Sequence, residues 1–151
     1  MAYQISPDKT AEVLAAATEE VLETMFFSTV FAEPEETLAG LPEDCVIAQV
    51  RFCGNPSGVF TVDLTPPAAQ AVAENFLGLE PGSVTHEQTC GVIREMANMI
   101  CGSVLTRIQS DTLFDLMAPE ILDSVQAAPM GPTRVFDVDG NGFLQVTLRI
   151  D

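Results

Sequence analysis

The chain has 151 residues, 47% of them hydrophobic, so it can bury a core and wholesale disorder is excluded. Asp and Glu number 22 against 6 Lys and Arg, a formal net charge of −16, which makes nucleic acid and anionic membrane surfaces poor partners. No stretch approaches the ~18 apolar residues of a membrane span, and Met1 to Asp8 lacks the basic and apolar regions of a signal peptide, so a cytoplasmic protein with no membrane insertion is expected.

A first helix is expected from Ser6-Pro7, with serine as N-cap and proline in the first helical position. Val13, Ala17, Val21 and Met25 recur every four residues and form an apolar face, widened by Leu14, Leu22 and Phe26, while Glu19, Glu20 and Glu23 lie on the wet side. Glu33-Pro34-Glu35-Glu36 reads as an exit loop. Val46, Ala48, Val50 and Phe52 then alternate with Ile47, Gln49 and Arg51, and Phe60, Val62 and Leu64 alternate with Thr61 and Asp63. With Gly54-Asn55-Pro56-Ser57-Gly58 between them, the two runs predict a hairpin.

Thr65-Pro66 is expected to cap a second helix that stops at Leu77-Gly78. A third helix is expected from about Glu87 to about Gln109, and one strand between Thr112 and Met117, halted near Pro119. The segment from Ala127 to Pro132 reads as a loop. Arg134 to Val138 and Phe143 to Ile150 flank Asp139-Gly140-Asn141-Gly142, a strong hairpin turn, and the final run has one face buried and the other polar. The order α-β-β-α-α-β-β-β predicts a single α+β domain over residues 1–151, a largely antiparallel sheet with helices packed on it.

Few residues offer catalytic chemistry. The four cysteines, Cys45, Cys53, Cys90 and Cys101, form no CxxC pair and are expected to be small buried hydrophobes. His86 is the sole histidine, so a two-histidine metal site within one chain is impossible. It is expected to be a solvated residue at a helix start. No phosphate-binding glycine motif occurs.

The third helix is the informative one. Ile93, Met96, Ala97, Ile100, Val104 and Ile108 gather on one side of the wheel as the core stripe. Glu95 and Asn98, three apart, stand together on the opposite face. Gly91 and Gly102 fall on that same face, although a glycine inside a helix costs about 0.5–1 kcal/mol relative to alanine. They flatten the surface around the pair, so that another protein can approach it closely. With 13 Glu and 4 Asn, chance alone gives roughly 0.3 such ExxN pairs, so the pair is weak without its context.

That context is Glu95-Met96-Ala97-Asn98-Met99-Ile100-Cys101-Gly102, which resembles the ExxNxxxG helix signature of the CheC/CheX/FliY family of chemotaxis phosphatases. With a single ExxN in the chain, it is most similar to the CheX branch. Val21 to Met25, the hairpin from Val46 to Leu64, the helix from Ala68 to Gly78 and the ending Phe143 to Ile150 also resemble CheX-like domains. One departure stands out: the family usually has Asp or Ser four residues before the glutamate, and here that position is Gly91.

The resemblance implies a cytoplasmic hydrolase of two-component signalling, a protein phosphatase acting on the phosphoaspartate of a response regulator receiver domain. It implies Asn98 as the residue orienting the attacking water, and Glu95 as the docking and second catalytic residue. Gly91 and Gly102 border the partner-binding surface. It implies that this chain binds no cofactor or metal, with Mg²⁺ on the partner receiver domain, and that the protein is a homodimer. The alternative is a non-catalytic CheX-like binding module that docks on and sequesters a signalling partner, which Gly91 favours.

Overall fold

The computed structural model describes residues 6–34, 44–109, 113–122 and 131–151. In chain order they form α1 (Pro7–Met25), β1 (Val30–Glu33), β2 (Val46–Cys53), β3 (Gly58–Leu64), α2 (Pro66–Leu77), α3 (His86–Ile108), β4 (Asp115–Leu116), β5 (Glu120–Leu122), β6 (Thr133–Val138) and β7 (Phe143–Ile150). The α+β architecture follows the expectation, with two additions. Val30–Glu33, expected to run into a loop, pairs with β6, and Glu120–Leu122, beyond Pro119, pairs with β2. Glu35, Glu36, Thr112 and residues 127–130, also assigned from the sequence, lie outside the described residues.

All described pairings are antiparallel, in the order β1-β6-β7-β3-β2-β4, with β5 also paired to β2. The β2–β3 hairpin aligns Val46 with Leu64 and Phe52 with Gly58. A Cβ on Gly58 would lie 2.1 Å from the carbonyl oxygen of Arg149, so only glycine lets β3 and β7 approach this closely. The second hairpin turns at Asp139 (φ 53°) and Gly140 (φ 73°), two successive left-handed residues, as a tight primed turn requires. The Gly140 amide donates to Asp137 Oδ2 at 3.0 Å.

The helices pack on the face carrying Val46, Ala48, Val50, Phe52, Phe60, Val62, Leu64, Phe136, Leu144, Val146 and Leu148. The α1 start is as expected: Pro7 opens the helix and Ser6 Oγ accepts from the Lys9 amide at 3.1 Å. Val13, Leu14, Ala17, Val21 and Leu22 are buried, and Phe26, just past the helix, stacks on Phe76 of α2 at 4.7 Å. Met25, expected on the apolar face, is exposed, because α1 ends there and the chain turns away through Phe27 (φ 53°).

Gly78 ends α2 in a left-handed conformation (φ 68°). Thr65 takes the N-cap position but its side chain does not cap the helix. Its hydroxyl accepts from the Phe143 amide at 3.0 Å, tying α2 to β7 instead. This contact excludes a side chain at Gly142, whose Cβ would lie 2.3 Å from Thr65 Oγ1.

The opposite sheet face is not simply polar. Ile47, Val59, Asp63, Val135 and Thr147 point there and are all buried. The cysteine expectation holds for Cys90 and Cys101 and fails for the other two: Cys45 is half-buried and Cys53 exposed, all four being free thiols. Cys53 shares a strand face with Arg51, Gln49 and Ile47 and ends its strand, which leaves it uncovered.

Candidate functional site

The site is built on α3, a 23-residue helix held at its start by two devices. Thr85 Oγ1 accepts from the Gln88 amide at 3.1 Å, and Gln88 Oε1 accepts from the Thr85 amide at 2.9 Å, a reciprocal capping box. The connection from α2 is fixed by Glu74, a buried carboxylate that accepts from the Gly82 amide at 2.5 Å and from Gln70 Nε2 at 3.3 Å. At the far end Arg107 is bonded to Glu20, joining α3 to α1.

Burial along α3 follows the predicted wheel. Val92, Ile93, Met96, Ala97, Ile100, Cys101, Val104 and Leu105 are buried, with Ile93, Met96, Ala97, Ile100 and Val104 fully inaccessible. Ile108 is half-buried and packs on the rim of the core. Burial pushes the Cys101 thiol up to about 12, so this cysteine stays a neutral core residue.

The opposite face places the expected residues together. Glu95 is exposed and Asn98 half-buried, one turn apart, and neither makes a hydrogen bond or ion pair with another described residue. Gly91 and Gly102 are half-buried on the same face. A Cβ on Gly102 would meet nothing within 4 Å, and one on Gly91 only Arg94 Nη2 at 3.9 Å. No packing demand among the described residues calls for glycine at either place. What they leave is a low strip of helix from which one carboxylate and one carboxamide project.

Arg94 lies on this strip and was not singled out from the sequence, although its spacing was there to be read. It is exposed, three residues after Gly91 and four before Asn98. His86, in the first turn, is exposed as expected, with Nε2 3.4 Å from Cys90 Sγ. Nearby, a pocket of about 400 Å³ is lined by Asp44, Val46, Pro66, Gln70, Val84, His86 and Thr89. Glu95 and Asn98 do not line it; they stand on an open helix surface, suited to meeting a protein rather than enclosing a small molecule. Among the described residues no group of three His, Cys, Asp or Glu side chains is placed to hold a metal ion. No helix among them is long and apolar enough to cross a membrane.

The same architecture is found in solved structures. Chemotaxis protein CheX from Vibrio vulnificus superposes with a TM-score of 0.71 at 15% identity, over 97% of this chain and 100% of that one. CheX in the CheX–CheY–BeF₃–Mg²⁺ complex of Borrelia burgdorferi gives 0.69 at 19% identity, over 92% and 96%. FliY of Thermotoga maritima gives 0.60 at 17%, over 97% and 92%. At these identities the likeness establishes the fold. No curated protein sequence gives a significant match. The family model for chemotaxis phosphatase CheX matches residues 46–132, more than half of the chain and including all of α2 and α3. By that match, the chain belongs to the CheX family of chemotaxis phosphatases.

Proposed function

We propose that this protein hydrolyses the phosphoaspartate of a CheY-type response regulator, with Asn98 and Glu95 inserted into the regulator's active site. The observation that carries the reading is the pairing of an exposed Glu95 with Asn98 on a glycine-flanked strip of α3, both side chains free of partners among the described residues. Family membership and the existence of a CheX–CheY complex in a relative support it.

The chemistry asks little of this chain. Hydrolysis of an acyl phosphate requires a water placed in line with the scissile O–P bond and compensation of charge on the equatorial oxygens. The aspartate carboxylate leaves and inorganic phosphate forms. The Mg²⁺ and cationic side chain that compensate the charge belong to the receiver. Asn98 supplies orientation: its carbonyl oxygen accepts a hydrogen from the water and its amide donates to a phosphoryl oxygen. A carboxamide does not titrate in this range, so it is no general base. Glu95 docks by pairing with a cation at the receiver's site, which fixes the register of Asn98 over phosphorus. In the cell the protein acts in the cytoplasm as a homodimer.

The test is release of phosphate from a phosphorylated CheY-type receiver, followed with and without the protein. Acceleration by the wild type is expected, with Asn98→Ala reduced to the receiver's own rate while its thermal unfolding stays unchanged. Full acceleration by Asn98→Ala would remove the assigned role. Binding without acceleration by the wild type would favour the sequestering module, which Gly91 supports by removing the acidic or hydroxyl side chain usual at that place.

A further inference from the structure

A protein of net charge −16 must dock on a receiver whose Mg²⁺ site is itself lined by carboxylates. Long-range attraction is therefore absent, and any complementarity to those carboxylates, beyond the pairing of Glu95 with the receiver's cation, has to come from the six cationic side chains. Four are engaged within the chain. Lys9 faces Glu12 at 4.0 Å, Arg107 is bonded to Glu20, Arg149 lies 3.7 Å from Asp151, and Arg134 donates to the Ala11 carbonyl at 3.4 Å. Among the described residues the side chains of Arg51 and Arg94 have no hydrogen bond or ion pair. Arg51 projects from β2 on the sheet face away from the helices. Arg94 projects from the Glu95–Asn98 strip.

The surroundings of Arg94 keep it unpaired. Its helical neighbours three and four residues away are Cys90, Gly91, Ala97 and Asn98, none of them acidic, in a chain with 22 acids. Glu95, adjacent in sequence, lies at the other edge of the strip, since neighbours one residue apart do not face each other on a helix. The guanidinium leans toward the helix N-terminus and lies across Gly91, 3.9 Å from where a Cβ would stand. An aspartate at position 91 would meet it as an i, i+3 ion pair and neutralise it.

We infer that Arg94 is the docking cation of this surface, selecting a partner that presents a carboxylate beside its phosphoaspartate, and that Gly91 keeps the guanidinium free for it. This rests on the phosphatase reading and adds to it a specificity residue. The planar guanidinium binds a carboxylate through two parallel hydrogen bonds, which gives orientation as well as attraction. The absence of a side chain at position 91 is then a condition of docking rather than a defect.

The experiment measures kcat and KM for a CheY-type receiver phosphorylated with acetyl phosphate, with affinity for the same receiver loaded with beryllofluoride measured in parallel. Arg94→Gln is expected to raise KM on the order of tenfold with kcat unchanged, and Arg94→Lys to recover part of the loss. Gly91→Asp is expected to raise KM in the wild-type background and to add little on top of Arg94→Gln, because both remove the same free cation. An unchanged KM in Arg94→Gln overturns the inference. So does a fall in kcat at constant KM, which would place the cation at the reacting phosphoryl group. If the wild type binds without hydrolysis, the phosphatase reading falls, and the affinity of Arg94→Gln decides the docking role alone. If it neither binds nor hydrolyses, both fall.

Discussion

Asp63 sits near the centre of the sheet, between Ile47 of β2 and Gln145 of β7. It is 3% exposed, and its Oδ1 has no hydrogen-bond partner. Burial raises its pKa from 3.8 to about 6. Well below pH 3.8 the carboxyl is protonated in both folded and unfolded chains, and its burial carries no charge penalty. Between pH 3.8 and about 6 the unfolded chain ionises while the folded one keeps its proton, so stability falls as pH rises. Above that range the cost is complete and amounts to about 3 kcal/mol. Against a total stability of about 5–15 kcal/mol, that is a large share. Asp63→Asn removes the charge and keeps the shape. Urea unfolding should find the variant more stable by about 3 kcal/mol at pH 7.5, with the advantage shrinking to about 0.5 kcal/mol at pH 4. An advantage equal at both pH values, or a less stable variant at pH 7.5, would refute the reasoning.

Two further predictions separate the ledge from its support. Gly102→Ala adds a Cβ into open space, so it should stabilise α3 by about 0.5–1 kcal/mol, read as a rise in Tm of a few degrees, while raising KM for the receiver because the strip is no longer low. Thr85→Ala removes one half of the capping box and should cost about 1 kcal/mol in urea unfolding, leaving kcat at saturating receiver unchanged.

The parts of the fold that were legible from sequence are those with a local cause. Ser6-Pro7 marks a helix start wherever it is placed, and the Asp139-Gly140 turn needs nothing beyond its own backbone preference. The strip on α3 was legible because helical period alone puts Glu95, Asn98, Gly91 and Gly102 on one face. The misses have distant causes. Val30–Glu33 is a strand only because β6, a hundred residues later, pairs with it. The Thr65 hydroxyl was expected at the helix start and went to Phe143, 78 residues away. Asp63 alternates like a surface residue, and its burial depends on a second covered sheet face that no pattern in β3 announces. Cys53 is the opposite case: strand alternation already assigned it to the side of Arg51, and counting it with the core gave apolarity too much weight over position.

The freedom of the Glu95 and Asn98 side chains from any bond to the other described residues has a consequence for how such proteins change. Folding exerts no pull on what those two positions hold. A descendant could exchange either for another polar residue, lose turnover entirely, and still unfold at the same temperature. Thermal robustness is therefore silent about whether a given copy of this scaffold works as an enzyme or only as a clasp.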